Sequence, residues 1–283
     1  MGRKAKHHYI PRGYLKGFTK EGKKSSPFLC VPKNNSQPFI TNPNDACAQR
    51  DYYKVQHPNP LLIEDWYGET IEPKIERVIS RISDTSALPL SSERPDLDLL
   101  LATLFLRVPS FRDTLEAPMK RAKEIVDSIS DDVNLANKSE FEYNQTDLIK
   151  TELNLIETVI KSLSQKYYQL HIIESEEPNF IMCDRPFVLS HPNGGDGMYF
   201  GLNTPNIEIC VPITRKVLLV AQNRAVKEEV FEANEQIVGL ANTKQMISAN
   251  KFFYTCDKSV LLINEDLSVH NHVVQTPLTC SWF

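Results

Sequence analysis

The residue types best suited to chemistry are concentrated in the first eighteen residues. There, His7 and His8 precede Pro11 and Arg12, and a largely apolar stretch continues to Phe18. Histidine titrates near neutral pH and can serve as a general base or metal ligand, whereas arginine binds phosphate or an oxyanion. Pro11 fixes its own φ and favours extended geometry before it, which predicts that the histidines lie on a strand or arm leading into a short helix. This segment can therefore present polar groups from a fixed base.

Two further charged residues lie in apolar surroundings that demand a partner. Arg107 ends a strongly apolar helical stretch, and a buried arginine needs a carboxylate or several carbonyls. Asp184 lies inside an apolar run, where a charge persists only if it is paired. Each has a structural alternative, namely architectural pairing for Arg107 and a turn-forming role for Asp184. We group six candidate catalytic residues: His7, His8, Arg12, Glu72, Arg107 and Asp184.

Glu72 belongs to a series of four carboxylates spaced to share one face of a continuous helix. The series is Asp65, Glu69, Glu72 and Glu76. Such a stripe could hold a divalent metal ion, although a solvated acidic face is the commoner arrangement. Pro73 should kink or restart the helix and spoil the alignment of the carboxylates. The sequence defines no other cofactor, so a divalent metal ion stays a hypothesis.

The elements around these residues predict an α+β fold. Residues 1–60 read as an N-terminal His/Arg arm with short strands, 61–165 as a helical region, and 166–283 as a mainly β region with one long helix. Residues 97–106 are apolar around the whole helical circumference, which predicts the central buried helix. After residue 166, apolar or alternating runs are separated by Pro, Gly and Asn, which indicates a mainly antiparallel sheet. We expect the helical half to pack against this sheet in one compact domain.

Charge is distributed unevenly along the 283 residues. Residues 1–24 hold eight Lys or Arg against one Glu, a net +7, so the remainder carries −11 of the total −4. A basic segment of this kind can bind nucleic acid or a nucleotide, or it can be a solvated tail. The six cysteines have no C-x-x-C spacing, and no apolar run approaches the roughly twenty residues of a membrane span. We therefore expect a cytoplasmic protein with reduced thiols and no membrane partner; the sequence does not define the oligomeric state.

The chain resembles a bacterial family, domain of unknown function family 4238. The resemblance rests on basic residues followed by His-His-Tyr-Ile-Pro-Arg and Tyr-Leu-x-x-Phe at residues 7–18. It continues at 51–53, in the Glu-containing helix near 64–76, and at 106–109, 183–186 and 211–213. Cys183 departs from the family pattern, in which a small hydroxyl residue usually occupies that place. The resemblance implies no activity, because the family has none established.

The residue types leave two main hypotheses for function. His, Arg and carboxylate together are what phosphodiester hydrolysis uses, which favours a metal-assisted phosphodiesterase or nuclease of toxin or phage-defence type. The alternative is a noncatalytic module that binds nucleic acid or a protein, and a regulatory domain that senses a nucleotide would share the same basic site. No phosphate loop, nucleophile elbow, zinc spacing or dinucleotide fingerprint occurs in the sequence.

Overall fold

The helices and short strands alternate early in the chain, and strands dominate after residue 166. A computed structural model describes residues 6–34, 36–129, 144–192 and 200–274, so the first five residues of the predicted basic segment lie outside these ranges. The helices are α1 (Arg12–Leu15), α2 (Leu62–Trp66), α3 (Glu72–Thr85), α4 (Arg94–Leu106), α5 (Pro109–Ile129), α6 (Gln145–Leu163) and α7 (Glu235–Ser248). A 3-10 turn, Lys16–Phe18, follows α1, and a π-turn, Tyr67–Ile71, joins α2 to α3.

Within the described ranges, thirteen strands form four sheets. They are β1 (Lys6–His8), β2 (Phe28–Pro32), β3 (Phe39–Thr41), β4 (Ala48–Arg50), β5 (Tyr167–Ile172), β6 (Met182–Cys183), β7 (Val188–Ser190), β8 (Glu208–Thr214), β9 (Val217–Gln222), β10 (Val230–Glu232), β11 (Phe252–Thr255), β12 (Ser259–Ile263) and β13 (Val269–Val273). The sheet orders are β10-β5-β9-β8-β7, β3-β2-β11-β6, and the pairs β1-β4 and β12-β13. All pairings are antiparallel except that of β10 with β5. The fold is α+β, as predicted.

Helix α4 is buried around its circumference because it carries almost no polar face. Every residue from Leu97 to Leu106 is buried except Phe105, which is half-buried. Two polar members have local or nearby partners: the Thr103 hydroxyl donates to the Leu99 carbonyl at 2.7 Å, and Asp98 accepts from Tyr168 at 2.7 Å. The prediction of a central buried helix is confirmed.

The N-terminal segment is fastened to the five-stranded sheet by the residues that directly follow His8 and Arg12. Tyr14, Leu15 and Phe18 are buried in the main hydrophobic core together with residues of α3, α4 and β8. The Tyr14 hydroxyl donates to the Pro212 carbonyl of β8 at 2.5 Å, and the Arg215 amide donates to the Gly17 carbonyl at 2.9 Å. Residues 6–12 are therefore presented from a fixed base.

The described cysteines, at 30, 47, 183, 210 and 256, are free thiols, and all but Cys256 are buried. Across the described ranges, no helix combines the length and apolar character needed to cross a membrane.

Candidate functional site

Arg107 is the centre of a polar cluster below the N-terminal segment. Its side chain is 1% exposed, and its guanidinium lies 3.8 Å from the ring centre of Tyr67. Nε donates to the Tyr53 hydroxyl at 2.9 Å, and Nη2 donates to the His8 carbonyl at 2.7 Å. Nη1 lies 3.8 Å from Glu72 Oε1, which is an ion pair without a hydrogen bond. Arg107 thus joins the end of α4 to the backbone of β1 and to the start of α3.

His8 and Arg12 are held next to each other by one residue of the loop between β3 and β4. The Asn44 carbonyl accepts from His8 Nε2 at 3.2 Å, and Asn44 Oδ1 accepts from Arg12 Nη1 at 3.3 Å. Because a carbonyl can only accept, Nε2 carries the ring proton and Nδ1 keeps its lone pair. Asn44 is itself fixed, since its Nδ2 donates to the Lys24 carbonyl at 2.9 Å. Sequence reasoning missed Asn44, because its role depends on contacts more than thirty residues away.

Helix α1, which begins with Arg12, is anchored to α3 by a carboxylate that lies over a glycine. Glu76 accepts from Lys24 at 2.5 Å and lies 3.6 Å from Lys16 Nζ. A Cβ atom on Gly13 would overlap the Glu76 side chain, so only glycine permits this approach. Glu76 therefore helps to position Arg12 without touching it.

The π-turn brings a carboxylate that was not predicted, Glu64, to the Arg107 cluster. In an unbroken α-helix, Glu64 and Glu72 would be about 80° apart around the axis. A π-turn absorbs about one extra residue, which reduces this offset to about 20°. The other two members of the predicted stripe lie elsewhere. Asp65 accepts a hydrogen bond from Asn59 at 3.5 Å, and Glu69 is exposed to solvent. The carboxylates facing Arg107 are therefore Glu64 and Glu72.

His8 and Glu64 titrate away from their ordinary ranges in opposite directions. Burial, aided by the positive charges of Arg12, Lys6 and Arg107, lowers the pKa of His8 to about 4. Burial raises the pKa of Glu64 to about 6, with Glu72 adding to the effect and Arg107 and Arg12 opposing it. Both residues thus lie within the electrostatic influence of the same two arginines. At neutral pH, His8 is uncharged and Glu64 is mostly ionised.

Two buried polar atoms in this cluster lack a hydrogen bond within the described chain. One is an acceptor, Glu64 Oε2, and the other is a donor, Arg107 Nη1. A buried polar group without a partner costs free energy, so such atoms are typical of places that take a ligand, an ion or water. The arrangement offers one positive and one negative contact to a bound polar group.

His7 lies behind this cluster rather than in it. Its ring is fully buried, and Nδ1 accepts the Tyr53 amide hydrogen at 2.8 Å. The ring stacks on that of Tyr53, with 6.3 Å between centroids. His7 therefore orders the Tyr53 backbone, whose side chain in turn contacts Arg107.

A second buried ion pair supports the same tyrosines from the other side. Arg112 donates to Glu152 Oε2 through Nη2 at 2.8 Å and Nε at 3.1 Å, and to the Tyr52 carbonyl at 3.0 Å. The Tyr67 hydroxyl donates to Glu152 Oε1 at 3.3 Å. This ion pair joins α5 to α6, and Glu152 holds the Tyr67 ring that Arg107 contacts.

Asp184 is held by the backbone just before and at the start of β11. Its carboxylate accepts three backbone amide hydrogens, from Asn250 and Lys251 at 2.7 Å and from Phe252 at 3.2 Å. Burial raises the pKa of Asp184 against these donors, which favour its charged form. No hydrogen bond or ion pair of the described residues joins Asp184 to Arg107, His8 or Arg12. The structure thus brings four predicted residues together, namely His8, Arg12, Glu72 and Arg107.

Metal ligation was the other hypothesis for the carboxylates. Within the ranges that the structure describes, no three or more His, Cys, Asp or Glu side chains are placed to hold a metal ion. The cluster around Arg107 is instead a mixture of cations, carboxylates and a neutral imidazole.

Comparisons with known proteins return one match. A sequence model for the family described as "Protein of unknown function (DUF4238)" matches residues 6–259, which include every residue of the Arg107 cluster. No curated protein and no solved structure matches the chain.

Proposed function

This chain belongs to the family described as "Protein of unknown function (DUF4238)", and from its own site we propose that it is a hydrolase acting on phosphodiester bonds of nucleic acid or nucleotides. One observation carries the proposal. Glu64 is a half-buried carboxyl whose pKa is raised to about 6, and the two arginines that act on its charge, Arg12 and Arg107, also act on the neutral His8. Carboxyl groups tuned in this way suit proton transfer at near-neutral pH.

Glu64 takes the role of general base in this proposal. A general base works best when its pKa lies near the working pH, which favours Glu64 over His8, whose pKa is about 4. Glu64 accepts a proton from water as the water oxygen attacks phosphorus, and the bond from phosphorus to the departing ester oxygen breaks. The departing oxygen takes up a proton from bulk water, to which Glu64 then releases the proton that it accepted. Neutral His8 offers Nδ1 as a hydrogen-bond acceptor that orients the water.

Arg12 is suited to hold the phosphate group. Its guanidinium has one hydrogen bond, to Asn44, and no ion pair with any described carboxylate. Arginine presents a planar fork of donors that matches phosphate oxygens. Arg107 acts as a positioning residue, because its Nε and Nη2 are committed to Tyr53 and to the His8 carbonyl.

The experiment is hydrolysis of a chromogenic phosphodiester by the wild type, Glu64→Gln and Arg12→Ala, with and without added divalent metal ions. We expect Glu64→Gln to lose about 100-fold to 10,000-fold in rate, as removal of a general base does. The wild-type rate should rise about tenfold from pH 5 to pH 7, because ionisation of Glu64 is half complete near pH 6.

The matched control is Glu69→Gln, since Glu69 lies on the same helical segment and is exposed. It should retain wild-type rates. Full activity in Glu64→Gln, or an unchanged pH profile, would refute the role of the base.

A noncatalytic anion-binding module is the second candidate, and an arginine without an ion pair beside a neutral histidine is the observation that favours it. It predicts that the wild type and Glu64→Gln bind the same ligand with similar affinity, while neither shows turnover above background.

A further inference from the structure

The described lysines of the basic N-terminal segment are all paired with carboxylates. Each of its described lysines lies within 4.0 Å of an acidic oxygen. The pairs are Lys6 with Asp45 at 2.7 Å, Lys16 and Lys24 with Glu76 at 3.6 and 2.5 Å, Lys20 with Asp257 at 4.0 Å, and Lys23 with Glu21 at 3.2 Å. A lysine that is already paired gains less from a phosphate contact than a free one.

Arg12 is the exception within residues 6–24. It forms no ion pair with the described residues, and it lies beside Asn44 and the uncharged His8. The buried Arg107 Nη1, also without a hydrogen bond in the described chain, belongs to the same cluster. Among the basic side chains of residues 6–24, the positive charge without a carboxylate within 4.0 Å is therefore that of Arg12.

The net negative charge of the rest of the chain opposes the binding of a long polyanion. With residues 1–24 at +7, the remaining 259 residues carry −11. A net charge of this sign opposes the binding of a long polyanion more than that of a ligand with a single phosphate group.

Resting on the function proposed above, we propose that the Arg12 site binds a single phosphate group of a nucleotide or of an oligonucleotide end. The N-terminal segment does not act as a tract that follows the nucleic-acid backbone. Substrates are accordingly nucleotides and short or terminal phosphodiesters, not the interior of long strands.

The two binding modes differ in their response to salt. A tract using all eight basic residues of the segment would give a slope of about −6 in log K against log salt for single strands, since each phosphate contributes about −0.7. One or two phosphate contacts give a slope of about −1. Between 50 and 200 mM salt, these slopes correspond to losses of about 4,000-fold and about fourfold, respectively.

The test measures binding to full-length Glu64→Gln, in which hydrolysis cannot consume the ligand. The probes are inorganic phosphate, a nucleoside monophosphate and a labelled twenty-nucleotide single strand. We expect a slope near −1 for the strand, complete displacement of the strand by the nucleotide, and at least a tenfold loss of affinity in Arg12→Ala.

Two control variants address the lysines and the two N-terminal residues outside the described ranges. The two double variants are Lys20→Ala/Lys23→Ala and Arg3→Ala/Lys4→Ala. Each should leave the slope of log K against log salt within about 0.5 of the value for the Glu64→Gln parent. The inference would be overturned by any of four results. They are a slope steeper than about −4, failure of the nucleotide to displace the strand, unchanged affinity in Arg12→Ala, and no binding of any probe. These readings do not depend on turnover, so a chain that binds as expected but hydrolyses nothing would refute only the proposed hydrolase.

Discussion

Replacement of Arg107 by alanine should destabilise the chain strongly, because Arg107 is a buried cation with several committed contacts. The substitution removes the donors to the Tyr53 hydroxyl and the His8 carbonyl and the cation above the Tyr67 ring. It also leaves Glu72 without its ion-pair partner. No small side chain can replace the planar fork that makes these contacts simultaneously.

The expected loss can be worked out from these contacts. Removal of one partner from a buried ion pair costs about 3–5 kcal/mol in free energy of unfolding. Glu72 retains some exposure, and its oxygen lies 3.8 Å from Nη1 rather than at hydrogen-bond distance. Both observations favour the lower end of this range, a loss of about 3 kcal/mol in free energy of unfolding. This value includes the cost of leaving the His8 carbonyl without a donor. With an unfolding entropy of about 2.1 cal/mol/K per residue over 283 residues, this corresponds to a fall in melting temperature of about 5 °C.

Urea denaturation and thermal melts at neutral pH would measure the loss. Arg77→Ala is the matched control, since Arg77 is an exposed arginine of α3, and its unfolding free energy should change by less than about 0.5 kcal/mol. Arg107→Lys keeps the charge but loses the fork, so an intermediate loss is expected. A change of less than about 1 kcal/mol in Arg107→Ala would show that the cluster does not depend on the guanidinium.

Two further substitutions distinguish the Arg107 cluster from the backbone-bound Asp184. Because burial raises the pKa of Glu64 to about 6, the stability contributed by its protonated form is complete below the ordinary carboxyl pKa and is lost as the pH rises through about 6. Glu64→Gln should therefore melt higher than the wild type at about pH 8 and equally at about pH 4; a lower melt at pH 8 would contradict the burial argument. Asp184→Asn should cost about 1–3 kcal/mol, since an amide cannot accept from all three backbone donors, and should leave phosphate binding unchanged. Denaturation and titration would measure both effects, and loss of binding with intact stability would place Asp184 in the site after all.

The features that could be predicted from sequence are those set by local pattern. The all-round apolar helix containing Leu101 and the demand of Arg107 for partners both follow from residue types and their spacing. The strand with His7 and His8 before a Pro11-initiated turn is likewise present in the structure. These predictions needed no knowledge of distant contacts.

The features that could not be predicted depend on distant contacts or on a change of helical phase. The four-stranded sheet pairs β2 with β11, across more than two hundred residues, and no local pattern specifies that pairing. Asn44 acts on His8 through its backbone carbonyl, which any residue type could supply. Glu64 could not be predicted because a regular helical period places Asp65, not Glu64, on the same face as Glu72. No residue pattern between Glu64 and Glu72 predicts the π-turn that changes this.

The π-turn also affects how this chain should be aligned with other sequences. Because Tyr67–Ile71 absorbs about one residue, Glu64 and Glu72 share a face although eight positions separate them. A related chain with one residue fewer here and an uninterrupted α-helix would present two carboxylates seven positions apart in the same way. An ungapped alignment would then match that chain's first carboxylate to Asp65. A one-residue gap inside the helix, normally penalised, is the correct placement between Trp66 and Glu72.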